Sequence, residues 1–481
     1  MPKAAPESDL TLAPRGPGIS LPQWLYLELR EAILSGRLRR GVRLPATREL
    51  AAQQRVSRGT VVTAFEQLVT EGYAESRAGA GTFVSARLPS ELARKAAKPV
   101  RTTVQAPPGP LRPFRVYEPA VHAFPMEVWA RIASRRLRKA TGQMLISGDP
   151  FGFAPLREAV ADYLRRSRGV TCRPEQVAIV SGTNQSLDLV LRLLLRPGDP
   201  VWLEDPGYTG ALFALQQVQA RVVPVAVDAE GLDPTLGQKL APDAKAVYLT
   251  PAHQFPLGIT MPLQRRLAVL EWARRAGAHI LEDDYDSEFR YAAKPVPSLQ
   301  GLDTGGTVIF MGSFSKMLFT ALRLAYVVVP EHLIDPLQER RLWLDRFSPT
   351  LDQAILCDFL TEGHLGRHLR RMRALYAARL QCLRQAVNTY LHGALMLPDI
   401  QAGLHIPAHL AAGLDAMDIE MRAEAAGVEA WSVGRFVLQR TDVNALLLGF
   451  AAFEERAIVQ GVRQLAAIVE KPNRPGSRRS A

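Results

Sequence analysis

Residues 86–113 carry six prolines and no aromatic residue, and no amphipathic period can be drawn through them. Such a stretch neither builds a core nor continues a helix or strand, so it reads as a linker. Its 28 residues reach roughly 90 Å when extended and average roughly 30 Å as a flexible coil. The chain must therefore fold as a short N-terminal domain and a long body, and 481 residues fit two to four domains. With 47% hydrophobic and 22% charged residues, both parts can bury a core. No apolar run is long enough to span a membrane, and the first ten residues, MPKAAPESDL, lack a signal-peptide pattern, so a cytoplasmic protein is expected. Cys172, Cys357 and Cys382 lie too far apart in sequence for a disulfide framework or a cysteine-zinc motif.

The net charge of +12 is unevenly distributed. Residues 1–85 hold 11 basic against 8 acidic residues, residues 86–113 hold 6 against 1, and residues 471–481 hold 4 against 0. The body, 114–470, is balanced at 38 against 38. A basic head, linker and tail on a neutral body point to a nucleic-acid partner. The tail 471–481 reads as disordered.

Before the linker, Leu25, Leu29, Ala32 and Ile33 mark one face of a helix closed by Ser35-Gly36. A short helix fits Thr47–Gln54. A third follows Ser57 as N-cap, with Val61, Ala64, Phe65 and Leu68 inward and Gly72 as its stop. YAESRAGAGTFV, residues 73–84, reads as two strands about a glycine-rich turn. Three helices and a β-hairpin make a winged helix-turn-helix. A DNA-reading helix needs small polar and basic groups in its first turn, here Ser57, Arg58 and Thr60, while Arg48 precedes it and Gly79 lets a wing approach phosphates. A small helical module that only binds protein would satisfy the same spacing. The phrase from SGRLRRGVRLPATRELAAQ to GAGTFV resembles the GntR-type winged helix. The resemblance implies that Arg48, Arg58, Thr60 and Gly79 contact double-stranded DNA and sets this domain at 16–85.

After the linker, short β-branched runs alternate with amphipathic helices. Strands are expected at Val177–Val180, Val201–Leu203, Ala246–Leu249, His279–Leu281, Val308–Met311 and Leu324–Val329, with helices such as Leu187–Leu195 and Leu263–Ala276 between them. This order implies an α/β fold with a mostly parallel sheet covered on both faces, and a small α+β subdomain from about residue 360. In GSFSKM, Lys316 follows a buried strand, where α/β sheets hold ligands. Its amine can form a Schiff base, and Ser313, Ser315 and Arg323 can hold a phosphate. A surface lysine on a polar turn is the plain alternative. Ser181-Gly182-Thr183-Asn184 opens a helix with free N–H groups, again suited to phosphate. In LEDDY, Asp283 could hold a ring nitrogen protonated. Consecutive acids also suit a metal, but no metal is expected.

This body resembles the fold type I, aspartate aminotransferase-like enzymes that use pyridoxal 5'-phosphate, over about 114–470. The resemblance makes Lys316 the Schiff-base lysine, Asp283 the pyridine-nitrogen partner and Tyr285 the residue near the ring hydroxyl. It makes Tyr208 the stacking aromatic, and Gly182, Thr183, Asn184, Ser313, Ser315 and Arg323 the phosphate cup. His253-Gln254 would occupy the loop facing the ring hydroxyl. Together with the winged helix, and with the phrases HQFP, EDDYDSEFRY and FSKML, the chain resembles the MocR/GabR subfamily of bacterial transcription regulators. That resemblance implies a homodimer and a small amine, an amino acid or the cofactor itself as effector. Three positions depart from the pattern. Leu257 replaces a hydroxyl residue, Thr320 replaces a proline, and Leu447 stands where most aminotransferases carry a carboxylate-binding arginine. Arg435 is a nearby substitute or a solvated loop residue. A working aminotransferase with an accessory DNA-binding module, and a dimerising domain that has lost the cofactor, remain the alternatives.

Overall fold

The computed structural model describes residues 12–15, 18–86, 111–291, 297–400 and 402–470, in two compact units, Met1–Pro107 and Pro108–Ala481. Most of the expected linker (87–110), the tail 471–481, and residues 16 and 17 at the start of the expected first domain lie outside the described residues.

In the first unit, α1 (Leu21–Leu34), α2 (Thr47–Gln53) and α3 (Arg58–Thr70) precede an antiparallel hairpin of β1 (Ala74–Arg77) and β2 (Gly81–Val84). The apolar period places Leu25, Leu29, Ala32, Val61, Ala64 and Leu68 at 0% exposure in one core. Ser57 Oγ accepts the Thr60 N–H at 3.1 Å, so the helix starts where its N-cap chemistry dictates.

The second unit is built on an eight-stranded sheet. Its strands are β3 (Val177–Val180), β4 (Pro200–Asp205), β5 (Arg221–Asp228), β6 (Gly231–Leu232), β7 (Ala246–Leu249), β8 (His279–Asp284), β9 (Val308–Ser313) and β10 (Ala325–Val328), in the order β3-β10-β9-β8-β7-β4-β5-β6. The pairs β5/β4, β4/β7, β7/β8 and β8/β9 are parallel. The sheet is mixed, because β10 runs antiparallel to both β9 and β3. Eleven residues, 314–324, separate β9 from β10, short of the dozen or more that a parallel crossover needs. Strand β5 is not among the expected strands; its Pro224 is tolerated because, among the described residues, only the short β6 pairs on that side, at Val227–Asp228. Of the helices against this sheet, α4 (Thr183–Leu194) begins four residues before its apolar stretch and α5 (Leu263–Ala276) fills the expected range. The register aligns Val180, Ala325 and Ser313 across three strands, so the segments flanking them meet at one edge.

The smaller antiparallel sheet has the order β11-β12-β14-β13, from β11 (Leu395–Met396), β12 (His405–Leu410), β13 (Trp431–Ser432) and β14 (Ala445–Gly449). The segment after residue 111 is tied to it. Phe114 bridges Gly449, the Gly449 N–H donates to Phe114, and Arg115 pairs with Glu429. A side chain at Gly449 would meet the Arg115 carbonyl at 2.2 Å, so glycine is required for this close approach.

Candidate functional site

Parallel strands end together, and the loops beyond β4, β7 and β8 and the turn after β9 converge on one cavity of about 240 Å³. Its walls are Tyr117, Thr183, Tyr208, Tyr248, Thr250, Phe255, Asp283, Tyr285 and Lys316. Five of these were expected from sequence: Thr183, Tyr208, Asp283, Tyr285 and Lys316.

Lys316 lies in α6 (Phe314–Met317), whose N-cap Ser313 accepts the Ser315 N–H at 3.1 Å. Both serines are buried, and they brace the turn that carries the lysine. The Lys316 Nζ donates to the Tyr117 carbonyl at 2.7 Å and lies 4.8 Å from the centre of the Tyr117 ring. Burial pulls this amine down to about 8, against Glu118, Asp286 and Asp283, which favour its charged form. Thr320, one of the departures, donates to Glu118 at 2.7 Å and so holds that carboxylate.

Asp283 is 4% exposed, and burial pushes its carboxyl up to about 7, opposed by a hydrogen bond from Tyr248. Tyr248 Oη donates to Oδ2 at 2.6 Å, whereas Oδ1 has no partner among the described residues. The neighbouring acids are otherwise employed. Glu282 accepts the N–H groups of Leu299 and Gln300, and Asp284 pairs with buried Arg168 at 2.6 Å. Among the described residues no cluster of three His, Cys, Asp or Glu is arranged to hold a metal ion.

Gly182 is the N-cap of α4, with no side-chain cap and φ at 146°. A Cβ there would lie 2.7 Å from Nη2 of Arg323, which itself adopts a left-handed φ of 52°. The glycine thus leaves room for a guanidinium beside an uncapped helix start, an anion-binding arrangement. Asn184 is exposed and accepts from Tyr208 Oη at 3.2 Å, which fixes that ring across the cavity. Tyr285 Oη lies 3.0 Å from His253 Nδ1, which is also 3.0 Å from Asp286. Gln254 turns away and donates to the Pro206 carbonyl at 2.9 Å.

Leu447 is fully buried in an apolar cluster with Val116, Phe255, Val433 and Phe436, against which Tyr117, Tyr208, Leu257, Tyr285 and Trp431 pack. Arg435 is paired with Glu420 and lies over the Trp431 ring at 5.5 Å. Sequence reasoning missed Tyr117, Tyr248, Thr250 and Phe255. Phe255 lies inside the quoted HQFP phrase, but Tyr117 carries no local signal, being 199 residues from the lysine it touches.

On the winged helix, Arg48, Ser57, Arg58 and Gly79 are exposed, with Gly79 at φ 73° in the turn of the wing. Thr60 is turned inward. It is 8% exposed, and its hydroxyl lies 2.9 Å from Ser57 Oγ, so it holds the shape of the turn.

Comparison with known proteins agrees with this two-part construction. Residues 22–84 match the family of bacterial regulatory proteins, gntR family, and residues 116–403 match aminotransferase class I and II. The probable rhizopine catabolism regulatory protein MocR of Rhizobium meliloti is 36% identical, over 94% of each chain. The pyridoxine biosynthesis transcriptional regulator PdxR of Corynebacterium glutamicum is 32% identical, over 83% of this chain and 85% of that one. Among solved structures, the α-aminoadipate aminotransferase LysN of Thermus thermophilus superposes with a TM-score of 0.68 at 30% identity, covering 74% of this chain and 91% of that one. A gntR-type reader and an aminotransferase-type body lie in one chain, which matches a regulator over nearly its whole length, so the chain belongs to the MocR/GabR subfamily of GntR-type transcription regulators.

Proposed function

We propose that this regulator holds pyridoxal 5'-phosphate in the Lys316 cavity, reads a small amine, amino acid or the cofactor itself there, and binds double-stranded DNA as a homodimer. The reading assigns residues 16–85 to DNA binding and 114–470 to sensing. The observation that carries it is the buried, unpartnered Oδ1 of Asp283 in a cavity that also holds a half-buried lysine amine.

The donor set fits that group. Asp283 would face the pyridine nitrogen, Tyr285 the ring hydroxyl and Tyr208 the ring face. The α4 start at Gly182, Thr183 and Asn184, with Ser313, Ser315 and Arg323, would take the phosphate. When bound, the cofactor supplies an aldehyde for amines and an electron-withdrawing ring. The chain's own residues do the rest. Tyr248 orients the Asp283 carboxylate, Tyr117 and Glu118 hold the Lys316 amine, and the apolar cluster around Leu447 limits water. Leu447 offers no group to align an amino-acid carboxylate, and Arg435 is committed to Glu420. Sensing is therefore favoured over turnover. DNA recognition falls to Arg48, Ser57, Arg58 and Gly79, with Thr60 shaping the turn.

Borohydride treatment of the purified protein followed by peptide mapping should place a pyridoxyl group on Lys316, and Lys316→Ala should lose the bound-cofactor absorbance. Unchanged absorbance in that variant would overturn the assignment. Rapid turnover of common α-amino acids, with operator affinity unmoved by any of them, would make the protein an enzyme instead.

A further inference from the structure

Resting on the cofactor reading, we infer that the ligand sensed at this site is a primary amine with a flat apolar body and no carboxylate, received by the stacked rings of Tyr117 and Phe255 beside Tyr208 and Tyr285, which would hold the cofactor. These four rings wall one cavity. They also support one another: Tyr117 stacks on Phe255 at 5.3 Å, and Tyr208 and Tyr285 meet Phe255 edge-on at 6.1 and 6.2 Å. Aromatic faces attract organic cations, most strongly where water is excluded. The chain displays that attraction itself, because the Lys316 amine lies over the Tyr117 ring at 4.8 Å and donates to its carbonyl at 2.7 Å. Once Lys316 is engaged by the cofactor, the Tyr117 face and carbonyl are left for the nitrogen of an incoming ammonium.

The charges nearby select against an acid. Among the described residues lining the cavity the sole cation is Lys316, and Asp283 is the sole anion. Behind the wall stand buried Glu204 and Asp286, with Glu118 beside the lysine. The two arginines within reach in sequence are committed. On the cofactor reading Arg323, beside the start of α4, goes to the phosphate, and Arg435 pairs with Glu420. A carboxylate entering here would lose its hydration and face acids and π-faces without a cationic partner. Leu257, Leu447 and Trp431 pack behind the rings and keep that side apolar, with no charge to meet a carboxylate.

The test uses two probes that share a phenyl ring and an amine and differ in one carboxylate, 2-phenylethylamine and L-phenylalanine. Each is titrated into the full-length, cofactor-loaded protein, with cofactor absorbance and operator affinity as readouts. The amine should bind at least about tenfold more tightly than the amino acid. Tyr117→Leu should weaken the amine by about tenfold, and Tyr117→Phe should restore it, since the ring face and not the hydroxyl is at work. Equal or tighter binding of L-phenylalanine, binding of neither probe, or an unaffected Tyr117→Leu protein that retains its cofactor would overturn the inference while leaving the cofactor reading intact. Failure of the wild-type protein to take up pyridoxal phosphate at all would overturn both.

Discussion

Single residues in this protein work through what burial does to them. Lys316 is an ordinary lysine by sequence, but burial brings its amine down to about 8 despite three nearby acids. Its reactive neutral form then prevails above that pH and falls about tenfold for each unit below it. The rate of cofactor capture should accordingly rise with pH, bend near pH 8 and level off above it, as stopped-flow absorbance would show. A flat profile between pH 6 and 9 would remove the lysine as the reacting group. Gly182 offers a steric counterpart. Its φ of 146° is strained for any other residue, and a Cβ there would push the Arg323 guanidinium, 2.7 Å away, off the helix start. Gly182→Ala should weaken cofactor binding by about tenfold or more through displacement of one charge-assisted contact, with the winged helix unaffected. Equilibrium dialysis against pyridoxal phosphate measures it.

Among the elements, α3 would couple stability to recognition on the proposed reading. Ser57 caps it and also holds the Thr60 hydroxyl, so Ser57→Ala should cost the first unit about 1 kcal/mol, seen in its thermal unfolding. Arg58→Ala, at an exposed position beside it, should leave that unfolding unchanged and reduce operator affinity by about 1–3 kcal/mol if the side chain reads a base. Loss of stability in the second variant, or of affinity in neither, would contradict this division. In the large unit, the eleven-residue connection between β9 and β10 does two things at once. It forces the antiparallel pairing that the strand pattern did not reveal, and it carries both Lys316 and Arg323 within one loop. Pattern reasoning identified β10 as a strand but not its direction, because direction depends on connection length and neighbours.

For the whole molecule, the net charge of +12 separates a basic head, linker and tail from a balanced body. Operator binding should therefore weaken steeply as salt rises, and Arg48→Ala together with Arg58→Ala should reduce the slope of log affinity against log salt by about 2 if both side chains meet phosphates. Fluorescence anisotropy from low to moderate salt measures that slope, and an unchanged slope would place the phosphate contacts elsewhere. Much of this organisation is legible along the chain because its causes are local. The 3.6-residue period of Val61, Ala64, Phe65 and Leu68, the Ser57 cap, and Lys316 after a buried apolar run each lie within one segment. Tertiary structure alone decided that Thr60 faces inward, that Tyr248 Oη orients Asp283 and that Tyr117 covers Lys316. Those contacts join residues 35 and 199 positions apart in the last two cases. A spacing rule reaches as far as one helix or strand, whereas a cavity wall is assembled from loops that meet only when parallel strands end at a common edge.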